Sequence, residues 1–150
     1  MGGGRKKEKK FIFKMLKQIE EGRRQLYAVQ DRWGTPTYTY DFARNLLHLI
    51  RSRQYGLYHM VCEGKGTRFD VAQEILRICH RPDIILTPVN SEFFESEYFA
   101  PRPPSEMMLN TNLRKIGLNF MRHWKATLQE YLENFFPEWI WENPKKVLVL

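Results

Sequence analysis

Several side chains in this sequence are of types that hold a phosphorylated ligand. Arg102 lies among Pro101, Pro103 and Pro104. A guanidinium held between prolines is pre-organised for bidentate contact with a diphosphate. Thr35, Thr37 and Tyr38 surround Pro36 and offer hydroxyls to a base or a sugar. Lys10 and Phe11 open an expected helix, where backbone N–H groups favour an anion and the ring can stack on a base. Trp33 stands just before the same loop. Each has a structural alternative. Arg102 can be a solvated surface arginine, Pro36 a turn former beside a packed Tyr38, Phe11 a core residue, and Trp33 a surface aromatic. Asp41 reads as a helix N-terminal charge rather than an acid catalyst.

Groups that make or break bonds are not found in a working pattern. A dinucleotide-binding turn needs glycines between a strand and a helix so that the backbone can approach a pyrophosphate. Gly2, Gly3 and Gly4 follow no strand, and Gly64 and Gly66 lead into Arg68 and Phe69 with no third glycine. A Tyr-x-x-x-Lys pair, in which the lysine lowers the tyrosine pKa for proton transfer, is absent at every tyrosine. His48, His59, His80 and His123 lack metal-ligand spacing, and Cys62 and Cys79 form no CxxC. No serine or cysteine sits in a nucleophile elbow. Catalysis by this chain alone is therefore not expected. The two cysteines read as buried free thiols, and no metal is expected on the chain.

The elements that would position the binding groups follow from periodicity. With 150 residues, 43% hydrophobic and 14% aromatic, the chain can bury a core. No apolar run reaches membrane-spanning length, and no signal-peptide core follows the basic N-terminus, so a cytoplasmic protein is expected. A helix is expected over 8–22, with Ile12, Met15, Leu16 and Ile19 on its inner face and Gly22 at its end. A short strand follows over 25–30, then the loop 31–37. The next helix covers 39–53, with Phe42, Leu46, Leu49 and Ile50 inward. A buried strand is expected over 55–61. Thr67 and Asp70 suggest a capping box opening a helix to Cys79, and Pro82 stops it. A third strand covers 84–89. The segment 91–105 reads as an extended surface loop. A helical turn near Thr111 ends at Gly117, and an amphipathic helix over 122–136 turns Trp124, Leu128, Tyr131, Leu132 and Phe135 inward. Residues 137–150 read as an appendage, with packing on the core, pairing with a partner and disorder as the alternatives. Strands alternating with about four to five helices indicate an α/β arrangement with a small sheet.

Five stretches, in order, resemble the C-terminal, substrate-binding half of the dTDP-4-dehydrorhamnose reductases, within the extended short-chain dehydrogenase/reductase family. They are Lys10-Phe11 after a Gly-containing turn, the run from Gly34 to Ala43, Tyr55-Gly-Leu-Tyr-His59, Ala100-Pro-Arg-Pro103 followed by Met108-Leu109-Asn110, and Trp124 with Leu128, Glu130, Tyr131 and Leu132. The resemblance implies a fold that is the C-terminal portion of a Rossmann-type sugar-nucleotide reductase, with residues 1–136 as its substrate-binding portion and the Rossmann half missing. It implies reduction of a dTDP-4-keto-6-deoxy sugar with NAD(P)H, often with Mg²⁺, in dTDP-rhamnose formation. The Gly-rich turn and the Tyr/Lys pair would then belong to other polypeptide. Many sugar-nucleotide epimerases carry a basic residue in the loop before the Asp helix; this chain has Thr37-Tyr38 there.

The partners expected on this basis are a dTDP-sugar, with a Rossmann-half polypeptide or a second copy of the chain as further options. A non-catalytic nucleotide-sugar module is the alternative from a different class. A basic nucleic-acid-binding protein is another: the net charge is +7, and nine Lys or Arg against three Glu leave +6 before Gln25. Aromatics are not interleaved with that charge, which weighs against nucleic acid.

Overall fold

The structure, a computed structural model, describes residues 1–2, 10–97 and 103–141. Helix α1 (Phe11–Glu20) buries Ile12, Met15, Leu16 and Ile19 on one face. Gly22, at φ +91°, turns the chain out of it, and its amide donates to the Ile19 carbonyl. Strand β1 (Gln25–Val29) follows. It pairs in parallel with β2 (Ile85–Val89), in register from Gln25 opposite Ile85 to Val29 opposite Val89. The Ile85 amide donates to the Arg24 carbonyl, so the odd-numbered amides of β2 face β1. Position 88 then faces outward, where Pro88 has no donor to lose.

Between the two strands run α2 (Thr39–Ser52) and α3 (Arg68–Ile78). The expected capping box is present: Asp70 N donates to Thr67 Oγ1 at 3.1 Å, and Thr67 N donates to Asp70 Oδ2 at 2.8 Å. Helix α3 packs on β1 and on α5 (Trp124–Phe135), which buries Trp124, Thr127, Leu128, Tyr131 and Leu132. Buried Glu74 ties α3 to α5 through Arg77 (2.7 Å, on its own helix) and Lys125 (3.4 Å). The core is continuous from Ile12 through Leu26, Ile75 and Trp124 to Tyr131. Cys62 and Cys79 lie within it as free thiols.

Four expectations are corrected. First, 55–61 is not a strand, and Tyr55 and Leu57 are exposed. The buried Asn110 side chain serves as Val61's partner instead of a neighbouring strand, accepting from its amide at 2.9 Å and donating to its carbonyl at 2.7 Å. Second, α2 is turned the other way. Its buried residues are Asp41 and Asn45; of the expected inner face only Leu49 packs against the core, half-buried, while Phe42, Leu46, Leu47 and Ile50 are exposed. Asp41 is held by Arg122, and Asn45 Oδ1 accepts from the Phe120 amide at 2.6 Å. Two specific polar partners thus outweigh an apolar stripe. Third, Ser91–Glu97 winds into a 3₁₀ segment rather than staying extended. Fourth, Pro137 ends α5 but at once opens a further, unexpected helix, α6 (Pro137–Trp141); its Trp139 and Ile140 are buried, which is the core-packing alternative for the start of the appendage. With α4 (Thr111–Lys115), the described residues therefore hold more helical segments than expected. The tail from 142 onward, and residues 8 and 9 of the expected first helix, lie outside the described residues.

Candidate binding cleft

Both parallel strands run toward the same end of the molecule, and a cleft of about 980 Å³ opens there. Its lining begins with Val29, the last residue of β1, and includes Ser91, two residues beyond β2. Ligand sites in open α/β folds lie outside the carboxyl ends of the strands, because the loops there diverge. The two strand exits are tied together. Asp31 accepts from the Ser91 amide and from its hydroxyl, each at 2.9 Å. Burial pushes the Asp31 carboxyl up, but these two hydrogen bonds outweigh it and hold it below the usual carboxylate range.

The loop after β1 forms one wall. Gly34 and Gly66 exchange backbone hydrogen bonds at 3.0 and 3.1 Å, which brings this loop to the start of α3. A Cβ at Gly66 would come to 3.2 Å from the Trp124 ring, so a larger residue there would press on that ring. On its other side the loop pairs with the Pro-rich segment: Trp33 N donates to Pro104 O at 3.0 Å, and Glu106 N donates to Trp33 O at 2.9 Å. The Met108 amide donates to Thr35 Oγ1 at 3.1 Å. A smaller cavity of about 410 Å³ adjoins the cleft through Thr35, Met107 and Met108.

The anticipated binding residues separate into groups. Trp33 and Thr35 line the cleft. Lys65 Nζ lies 4.8 Å over the Trp33 ring. Thr37 and Tyr38 do not line it. The Thr37 hydroxyl donates to Thr35 O at 3.0 Å and accepts from Cys62 N at 3.2 Å, so it shapes the turn. Tyr38 is a core residue, 3% exposed and edge-on to Tyr131. Expecting its hydroxyl to meet a ligand is corrected by this burial, which also raises its pKa. Lys10 is the residue before α1 and makes no side-chain cap. Phe11 packs against the core, with Arg68 Cζ 6.0 Å from its ring. Since Arg68 lines the cleft, Phe11 lies one side chain away from it. Arg102 lies outside the described residues, but Pro103 next to it lines the cleft.

Sequence reasoning passed over Arg32, Arg68, Glu92, Glu95 and Glu106, which also line the cleft. Arg32 adjoins Trp33, and Arg68 is the first residue of a helix with a legible capping box; these were the available signals. Two further features of the strand ends and side-chain clusters hold among the described residues. β1 runs into Asp31, Arg32 and Trp33, and β2 into Asn90, Ser91 and Glu92, with no Gly-rich strand-to-helix turn. Nor do three or more His, Cys, Asp or Glu side chains come together to hold a metal ion.

These features define an α/β domain with a ligand-sized cleft at the ends of a small parallel sheet. The chain belongs to the RmlD substrate binding domain family, whose profile matches residues 4–136. It is 30% identical over 120 residues to a Streptomyces niveus protein named dTDP-4-keto-6-deoxy-D-glucose reductase, a match that covers 80% of this chain and 41% of that one. The dTDP-4-dehydrorhamnose reductase structure from Yersinia enterocolitica superposes with a TM-score of 0.80 at 30% identity, over 91% of this chain and 47% of that one. The Bacillus anthracis structure of the same name, in complex with NADP, superposes with a TM-score of 0.74 at 29% identity, over 87% of this chain and 44% of that one. The chain thus spans less than half the length of these relatives.

Proposed function

We propose that this chain is the dTDP-sugar-binding part of an NAD(P)H-dependent dTDP-4-dehydrorhamnose reductase. In this reading residues 1–136 form the substrate-binding portion and 137–150 an extension. The observation that carries it is the pairing of Trp33 with Pro104 and Glu106, which joins the start of the loop, Trp33 to Pro36, and the Pro-rich segment along one cleft. These two stretches are what the sequence offers for a sugar nucleotide. Trp33 supplies an aromatic wall and Thr35 a hydroxyl. The carboxylates of Glu92, Glu95 and Glu106 are suited to accept from sugar hydroxyls. Hydride transfer and protonation of the keto group fall to polypeptide bearing a Gly-rich turn and a Tyr-x-x-x-Lys pair, a Rossmann-half partner. This chain binds, orients and covers the sugar nucleotide. No described helix is long and apolar enough to cross a membrane, and the protein is placed in the cytoplasm in this reading.

The test is NADPH oxidation with a dTDP-4-keto sugar, by the chain alone and with a Rossmann-half polypeptide. Turnover only in the presence of both is expected. Turnover by the purified chain alone would contradict the division of labour. Tight dTDP-sugar binding without turnover in any combination would favour a non-catalytic binding module instead.

A further inference from the structure

Helix α2 is the longest helix among the described residues, and it turns its apolar stripe away from the core. Phe42, Leu46 and Ile50 stand four residues apart with Leu47 beside them, and Leu47 and Ile50 are 53% and 63% exposed. The patch extends past the helix. Phe120, also exposed, is tied to α2: its ring centroid lies 4.9 Å from that of His48, and its amide donates to Asn45 Oδ1. Just beyond the end of α2, Tyr55 and Leu57 are exposed on a stretch that pairs with no strand among the described residues. Single exposed hydrophobics need no explanation, but a run of them over one helix face and its continuation marks an interface. The charge around the stripe says what kind of surface fits it. Arg44 and Arg51 on α2 and Arg53 at its end are exposed, and none is paired with a carboxylate among the described residues. Asp41, the acidic residue of the helix, is buried and held by Arg122. A second copy of this chain packed on the same face would set arginines against arginines, because a two-fold contact matches a patch with itself. The complementary surface is therefore a different one, apolar at its centre with carboxylates at its margin.

We infer that this face of α2, with Phe120 and the stretch from Tyr55 to Leu57, is where the Rossmann-half polypeptide docks. The inference rests on the division of labour proposed above and names the surface through which the two parts meet. Two observations choose that occupant. The chain spans less than half the length of the relatives it matches, so those relatives carry further polypeptide that can cover the face. Helix α2 also begins three residues after Pro36, which lines the cleft, while Phe42, Leu46, Leu47 and Ile50 do not line it. A partner seated here leaves the cleft open to a sugar nucleotide and stands beside the loop that forms its wall.

The experiment co-expresses the full chain with the part of the Bacillus anthracis reductase that this chain does not match, and follows assembly by sedimentation velocity with NADPH present. Leu47→Glu and Ile50→Glu are compared with the unaltered chain and with Ile85→Glu, an exposed position on β2 outside the patch. Each α2 variant is expected to weaken assembly at least about tenfold, and Ile85→Glu to keep it within about twofold. The dTDP affinity and melting midpoint of the α2 variants alone are expected to match those of the unaltered chain, because the stripe lines neither core nor cleft. Assembly should also weaken as salt rises, since the arginine margin meets carboxylates. Glutamate variants of α2 that assemble as the unaltered chain does would overturn the docking face. So would failure of the unaltered chain to assemble, and so would a dimer of the chain alone that Ile50→Glu dissolves, which would make a second copy the occupant. Loss of assembly in the α2 variants, with an unaltered chain that assembles but binds no dTDP, would instead overturn the sugar-nucleotide reading and leave the docking face in place.

Discussion

Asp31 holds Ser91 by both of its carboxylate oxygens, one accepting from the amide and the other from the hydroxyl, each at 2.9 Å. Sixty residues separate them in the chain, yet they stand at the exits of two paired strands. The contact therefore fixes how the loop after β1 and the 3₁₀ segment after β2 diverge to form the cleft.

Replacing Asp31 with alanine leaves the Ser91 amide without its acceptor. A destabilisation of about 1–3 kcal/mol is expected from thermal or urea unfolding. The same contact sets an acid dependence. The folded-state pKa of Asp31 is depressed, so its contribution is fully present above the unfolded value of about 4 and is lost as pH falls through the lower folded value. The fall in stability below pH of about 4 should be shallower in Asp31→Ala than in the unaltered chain. Equal slopes would remove this role.

Helix α2 gives a prediction that its own pattern would reverse. Asp41 is buried and meets the Arg122 guanidinium at 2.6 and 2.9 Å, while Arg122 also meets Glu130 at 2.6 Å. Asp41→Leu should destabilise by about 2–4 kcal/mol, below the full range for a buried pair because Arg122 is partly exposed. Ile50→Glu, on the apolar stripe, should change the stability of the isolated chain by no more than about 0.5 kcal/mol. Finding the opposite order in chemical denaturation would mean that the stripe faces the core.

Burial pushes the Cys79 thiol up to about 12, and burial likewise raises Cys62. Thiolate is the reactive form, so both should resist an alkylating or disulfide-exchange reagent at neutral pH while the chain is folded. Both should react promptly in denaturant. Rapid labelling of the folded protein would contradict the packing around them.

In a complete enzyme, Arg102→Ala is expected to weaken sugar-nucleotide binding at least about tenfold, as loss of a charge-assisted contact to phosphate does. The check is a dissociation constant measured by titration, and an unchanged value would remove Arg102 from the site.

What the sequence made legible was local. The faces of α1 and α5 were readable because their apolar residues repeat at helical spacing and have no polar competitor. The Thr67–Asp70 box was readable because both members of the motif lie within four residues. The strands β1 and β2 were readable as apolar runs, but their pairing across the intervening helices was not. The stretch around Leu57 has the composition of a strand, but side chains far along the chain take its backbone groups instead: Asn112 donates to the Leu57 carbonyl and Asn110 pairs with Val61. The inversion of α2 depends on Arg122 and Phe120, partners that no periodicity reveals. At the cleft, Trp33 and Thr35 were named from their loop. Arg32 and Arg68 were missed because what brings the loop after β1 to the start of α3, and so both residues to one cleft, is the Gly34–Gly66 bridge, a tertiary contact. Tyr38 was left between two readings for the complementary reason: a tyrosine beside a binding loop and a tyrosine packed on Tyr131 look alike in one dimension.

The central claim is that the cleft beside Trp33 receives the diphosphate-linked sugar. It is tested most directly by titrating dTDP into isotopically labelled chain and following backbone amide and tryptophan indole resonances. Shifts at the Trp33 indole and at the Gly34, Gly66 and Ser91 amides, with the exposed face of α2 unmoved, are the predicted result. Saturating dTDP that leaves the Trp33 indole and the two glycine amides in place would contradict the account.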